Sequence, residues 1–146
     1  RVDDSVWEAR ERGVLFDLGH GRNSFDLGVA EAGIAQGFFP DTISADFYLR
    51  HVEEDPGHDL PRTISKLMSV GMSEVDVLER VTSRPAQILG LSGEVGTLAP
   101  GACADLVVMN WNPNAPPLED ISGATRTGGC WEPILTVSAG EVILTT

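Results

Sequence analysis

The chain has 146 residues, ten Lys and Arg against 22 Asp and Glu, a formal net charge of −12 and 42% hydrophobic residues. That is the material of one ordinary domain, with enough length to bury a core without disulfide or metal staples, but it is too short for a whole (β/α)8 barrel of about 250 residues. With a sequence pI near 4.4 and basic residues scattered along its length, the chain is expected to repel phosphate backbones, so no nucleic-acid partner is expected. Apolar runs such as 88–91 and 106–109 fall far below the roughly 20 residues of a membrane-spanning helix, and no membrane partner is expected. The first residues lack the basic-then-apolar order of a secretory signal. Cys103 and Cys130 show no ligand spacing and read as reduced thiols of a cytoplasmic protein.

In chain order, residues 5–12 predict a short helix, with Ser5 as N-cap, Glu8 at capping-box distance and Gly13 as stop. Residues 14–18 are an apolar run bounded by glycines, the pattern of a strand buried on both faces. His20 follows in a Gly19-His20-Gly21 turn, and residues 23–36 predict a packed crossover helix that Ser24 could cap. Residues 42–46 are a second strand ending on Asp46, and an acidic loop runs from 49 to 59. Helices are expected over 60–70, over 73–82 with Ser73 as N-cap, and from Pro85 to Gly90. After Ser92 the grammar changes to short strands, at 94–98, 104–109, 135–138 and 141–144, separated by Pro, Gly and Asn turns. The expected organisation is therefore a β/α unit over 1–92 and a small β unit over 93–146 whose open edges call for further strands from elsewhere.

In a parallel β/α sheet, side chains at the carboxyl ends of the strands share one ligand site. His20 and Asp46 both occupy such a place, 26 residues apart, which is one strand-helix-strand unit. Histidine can exchange protons near neutral pH and aspartate can accept a proton or ligate a divalent metal. The structural alternatives are a turn histidine satisfied by backbone and an aspartate capping the next turn. Neither GxGxxG nor GxxxxGK[ST] occurs, which removes the usual support for dinucleotide or nucleoside-triphosphate binding, and no GxSxG elbow supports a serine hydrolase. His51 and His58, with Glu53, Glu54, Asp55 and Asp59, could recruit a cation but read first as a solvated loop. Lys66 reads as a snorkelling helix residue, and Asp105 as a turn-fixing carboxylate.

Phe16-Asp17-Leu18-Gly19-His20-Gly21, Ser24-Phe25, the run from Gly37 to Asp46, and Ser65-Lys66-Leu67-Met68-Ser69-Val70-Gly71-Met72 together resemble the dihydroorotase-like deacetylase branch of the amidohydrolase superfamily. Thr82-Ser83-Arg84-Pro85-Ala86 and the run from Gly96 to Val108 resemble that superfamily's C-terminal signature. The resemblance implies α/β architecture: strands seven and eight and helices of a (β/α)8 TIM barrel, plus part of a β-sandwich. It also implies a hydrolase of amide (cyclic amide, N-acyl) or ester bonds in small molecules that depends on one or two divalent metals, usually zinc. Of the family ligands only the last aspartate is visible, as Asp46, which would be both metal ligand and catalytic proton acceptor. His20, with Gly19 and Gly21, would contact substrate. No HxH pair occurs, so the segment is expected to bind no metal and be inactive alone, its partner being the remaining N-terminal part of the barrel. A homo-oligomer is compatible with this. The competing expectation is a non-catalytic truncated or degenerate domain acting through oligomer or partner binding.

Overall fold

The computed structural model describes residues 1–49 and 58–145. The first helix, α1 (Asp4–Glu11), starts one residue before the expected span, because Asp3 rather than Ser5 is the cap: its carboxylate accepts the Ser5 N–H at 2.9 Å. Strand β1 (Asp17–Gly19) is only three residues long and pairs in parallel with β2 (Thr42–Ser44), in the register Asp17 to Thr42, Leu18 to Ile43, Gly19 to Ser44. The connection is helical, as parallel pairing demands, but it is split: α2 (Gly21–Ser24) is one turn and α3 (Leu27–Ala35) follows. Ser24 therefore ends α2 instead of capping a longer helix, and Asp26 caps α3 by accepting the Val29 N–H at 2.8 Å.

Helix α4 (Leu60–Ser69) is capped by Asp59, which accepts the Arg62 N–H at 2.8 Å, and carries Pro61 in its first turn. Its Thr63, Ile64, Ser65, Lys66 and Leu67 are all buried, so it is covered on more than one side. Helices α5 (Glu74–Val81) and α6 (Ser83–Ile88) follow, with Ser73 capping α5 as expected. One core joins Phe25, Leu27, Ile43, Ile64, Leu67, Val70, Met72 and Val77, with Leu18 of β1 and Trp131 packed against it. Since Leu18 and Ile43 are the middle residues of β1 and β2, the core lies on one face of the pair. Asp17, Thr42 and Ser44 take the other, where the Asp17 carboxylate accepts the hydroxyls of Thr42 and Ser44, each at 2.6 Å.

The second half holds an antiparallel sheet of β3 (Leu106–Asn112), β6 (Cys130–Ser138) and β7 (Glu141–Thr145) in the order β3-β6-β7, and a ribbon of β4 (Leu118–Glu119) with β5 (Thr125–Arg126). Residues 94–98, expected as a strand, form none: a single bridge joins Ser92 and Val95, and the segment turns back until a Cβ on Gly96 would collide with the Thr82 carbonyl. The β4–β5 ribbon was not visible in the pattern, its strands being two residues each. Asp105 fixes a turn as expected, accepting the Ala139 N–H at 2.8 Å. Among the described residues no helix is long and apolar enough to cross a membrane.

The two halves are stitched through polar groups. Trp131 of β6 donates its backbone N–H to Ser65 Oγ at 2.9 Å, and Arg62 donates to the Pro117 carbonyl at 2.9 Å. Asp120 accepts four bonds, from Leu27 N at the start of α3, Ser122 N, Ser122 Oγ and Ala124 N, all within 2.9 Å. These donors, the Leu27 N–H first among them, hold its carboxyl down at about 2. A carboxyl lowered on folding stabilises the fold fully above its unfolded value, near 3.8, and loses that contribution as pH falls toward 2. Asp120→Asn is therefore expected to lower the melting temperature at pH 7, with the gap between variant and parent closing between pH 4 and pH 2. A gap independent of pH in thermal melts would contradict this account of Asp120.

Candidate functional site

Parallel pairing brings the carboxyl ends of β1 and β2 side by side, and the ladder runs one bond further, from the His20 N–H to the Ser44 carbonyl at 2.9 Å. His20 and Asp46 thus come from adjacent strand ends, as the spacing required, but their side chains go different ways. Asp46 is exposed and lies two residues beyond the end of β2. Its backbone is left-handed, with φ +48°, a conformation that aspartate tolerates better than most side chains. Gly21 packs against it: a Cβ there would stand 2.9 Å from Asp46 Oδ2 and 3.3 Å from Ser24 Oγ, on a backbone at φ +37°. The carboxylate is seated against a position that no larger residue could hold without moving it. Gly19 is open, with Asp17 Oδ2 and Ser44 Oγ at 3.7 and 3.8 Å from where its Cβ would be.

His20 goes to the helix side. Only 2% exposed, its ring is stacked between Phe25 and His58, with centroids 4.7 and 4.4 Å away. Its Nε2 lies 2.9 Å from Lys66 Nζ and its Nδ1 lies 3.3 Å from His58 Nε2, which itself stands 2.7 Å from the Ala45 carbonyl oxygen. Lys66 does not snorkel: it is 6% exposed and burial brings its ammonium group down to about 8, helped by the nearby Arg62 charge. Nor is His58 part of a solvated loop, being buried in this cluster. Asp59 is spent on capping α4, while His51, Glu53, Glu54 and Asp55 lie outside the described residues.

The Lys66 cluster was missed because a single lysine in a helix defaults to the surface. Its signal was helical phase, since Lys66 stands three and four residues from Thr63 and Val70 on a face that is otherwise buried. A second group of charges sits at the opposite, amino end of β2. There Arg10, Arg80, Arg84, Asp41 and Phe39 border a cleft of about 380 Å3. Asp41 accepts the Phe16 N–H at 2.9 Å, Arg10 donates to the Phe39 carbonyl at 2.6 Å and Arg80 to the Pro40 carbonyl at 2.7 Å. These bonds anchor the entry to β2 rather than the end that carries Asp46.

A family model described as the amidohydrolase family matches residues 9–143. The chain belongs to the amidohydrolase family. It is 36% identical over 143 residues to a deacetylase of Enterococcus faecalis, covering 97% of this chain and 38% of that protein. Among solved structures it is similar to an adenine deaminase, with TM-score 0.87, 36% identity and coverage of 98% of this chain and 39% of the other. It is also similar to a dihydroorotase, with TM-score 0.78, 34% identity and coverage of 97% and 38%. This amidohydrolase chain thus spans under two fifths of the length of each of these three relatives.

The tightness of the Gly21–Asp46 approach gives a direct expectation. Gly21→Ala and Gly13→Ala should each lose about 1–2 kcal/mol for a left-handed backbone, but only at Gly21 does the new Cβ meet a side-chain end, Asp46 Oδ2, that must move aside, whereas nothing lies within 4 Å at Gly13. A crystal structure of Gly21→Ala should show the Asp46 carboxylate displaced. An unmoved carboxylate would show that the approach imposes no constraint.

Proposed function

We propose that this chain is the C-terminal portion of a metal-dependent amidohydrolase acting on amide bonds of small molecules, N-acyl or cyclic, with ester bonds as a secondary class. In this reading β1 and β2 are the seventh and eighth strands of a (β/α)8 barrel, residues 1–92 form its closing part, and residues 93–146 contribute to a β-sandwich completed by other chain. The observation that carries it is Asp46, exposed at the carboxyl end of β2 and seated against Gly21 of the neighbouring strand's turn. The open flanks support it too. Parallel sheets are normally covered on both faces, yet β1 and β2 have only each other as neighbours among the described residues, and Val14 and Leu15 just before β1 are about half exposed. The outer sheet likewise leaves Val107, Ile134, Val142 and Ile143 exposed.

The donor set present does not by itself hold a metal. Zinc takes three or four protein ligands, and among the described residues no three His, Cys, Asp or Glu side chains converge. Asp46 would contribute one ligand and the others would have to come from the rest of the barrel, so the segment alone is expected to be inactive. When complete, such a centre supplies an acidified water and a polarised carbonyl. From this chain's own groups, Asp46 accepts the proton of the attacking water and delivers it to the departing nitrogen or oxygen as the bond to the acyl carbon breaks. The Gly19-His20-Gly21 turn borders the substrate with its backbone, glycine allowing close approach, while the His20 ring supports that turn from behind. The two free cysteines, one exposed and one buried, support a reducing, cytoplasmic setting.

The test is Asp46→Asn in the full-length polypeptide, assayed against a panel of N-acetyl amino acids and cyclic ureides. Loss of about 100-fold or more in kcat, the range of a general acid–base group, with an unchanged circular dichroism spectrum is expected. Turnover at the parent rate would remove Asp46 from the reaction.

A further inference from the structure

Ser44, the last residue of β2, is pinned to β1 twice. Its carbonyl accepts the His20 backbone N–H at 2.9 Å, and its hydroxyl donates to Asp17 Oδ2 at 2.6 Å. Asp17 Oδ1 takes the Thr42 hydroxyl, also at 2.6 Å, so one carboxylate on β1 spans both open-face positions of the three-residue β2. Such short O–H···O− bonds are charge-assisted and roughly twice as strong as neutral ones. A carboxylate suits the place because it carries no hydrogen and each oxygen can accept one hydroxyl, whereas an amide would offer a single oxygen. Gly19 lays no side chain over the pair: a Cβ there would touch Asp17 Oδ2 and Ser44 Oγ at 3.7 and 3.8 Å.

Asp46 follows Ser44 by two residues, on a backbone at φ +48°, and its Oδ2 lies 2.9 Å from where a Gly21 Cβ would stand. Gly21 in turn follows Gly19, the end of β1, by two residues. How the carboxylate meets the neighbouring turn is therefore set by how β2 ends against β1, and Ser44 is where that end is fastened. We propose that Asp17 is a positioning residue for Asp46, a role that rests on the reading of Asp46 as the proton acceptor. Through Ser44 Oγ, with Thr42 as a second anchor, Asp17 holds the end of β2 to β1 and so fixes where the Asp46 carboxylate stands against the Gly21 turn. In that reading helices lie outside the strands, so the face opposite α4 turns to the barrel interior, which bulky branched apolar side chains usually fill. Asp17, Thr42 and Ser44 stand there instead. An enclosed anion costs free energy unless it is hydrogen-bonded, and the two hydroxyls supply bonds that offset that cost.

The test compares Ser44→Ala with Ser44→Thr in the full-length polypeptide, with Asp17→Ala and Asp17→Asn beside them. Of the first pair only threonine keeps a hydroxyl for Asp17, and of the second only asparagine keeps an acceptor. On an N-acetyl amino acid that the parent cleaves, kcat should fall about tenfold or more in both alanine variants with KM little changed, the scale of a small misplacement of a reacting group. Ser44→Thr and Asp17→Asn should recover part of that loss. Asp105→Ala, which takes a carboxylate from the turn between β6 and β7, should lower the melting temperature and leave kcat at the parent value. In protein labelled with 15N at aspartate, the Asp46 amide resonance, identified by its loss in Asp46→Asn, should shift in Ser44→Ala and return toward the parent position in Ser44→Thr. Parent kcat in Asp17→Ala, alanine and threonine variants alike in that resonance, or a kcat that merely follows melting temperature through all five variants would overturn the proposal. The resonance does not depend on turnover. An unshifted resonance beside an inactive Asp46→Asn removes the Asp17 role alone, whereas an active Asp46→Asn beside the expected shifts removes the hydrolytic reading of Asp46 and leaves the fastening of β2 in place.

Discussion

The parallel pairing of β1 with β2 is the constraint on which everything else depends. Three residues on each strand, in the register Asp17 to Thr42 through Gly19 to Ser44, divide the structure into two faces by alternation alone. Leu18 and Ile43 go to the core with α4; Asp17, Thr42 and Ser44 form a hydrogen-bonded polar set on the other side. A pair this short would not persist in water by itself. It is held because α2 and α3 complete the crossover, because α4 covers its apolar face, and because Asp41, Arg10 and Arg80 tie down the entry to β2.

At the carboxyl end the two sides of the pair differ in burial. Asp46 is exposed beyond the end of β2, and Gly21 lets the neighbouring turn approach its carboxylate closely. On the other face His20, His58, Phe25 and Lys66 fill the space between the strand ends and α4. A lysine buried there is costly while charged, so its proton is released more easily than in water. That cost is present below about 8 and is relieved as pH rises toward the ordinary lysine value of 10.5. The cluster joins α4 to both strand ends, and the serine one residue before Lys66 accepts the Trp131 N–H of β6. The second half of the chain is thereby coupled, through α4, to the backbone that carries Asp46.

Much of this was legible in the residues. The adjacency of His20 and Asp46 followed from one strand-helix-strand spacing, the cap at Ser73 from local side-chain chemistry, and the family from ordered motifs that run nearly the length of the chain. What pattern could not show was direction. The position of His20 after its strand predicted a strand-end residue, but the turn into α2 sends its ring to the helix layer, onto Phe25. Lys66 and His58 looked like surface residues because charge and loop context default to solvent, and only tertiary packing makes them partners. The ribbon of β4 and β5 escaped because two-residue strands have no periodicity, and Asp120, which anchors it to α3, looks in sequence like any turn aspartate.

A strand end that presents one carboxylate, a chain that covers 38% of a related deacetylase, and a parallel pair with open flanks support the proposal of a centre assembled from more chain than these 146 residues. The most direct test is zinc content by elemental analysis after gel filtration in zinc-containing buffer, on the 146-residue chain and on the full-length polypeptide side by side. The account predicts stoichiometric zinc only in the longer protein. One tightly held zinc on the 15.6 kDa chain would contradict it, because the ligands would then be complete without the strands that the account assigns to the rest of the barrel.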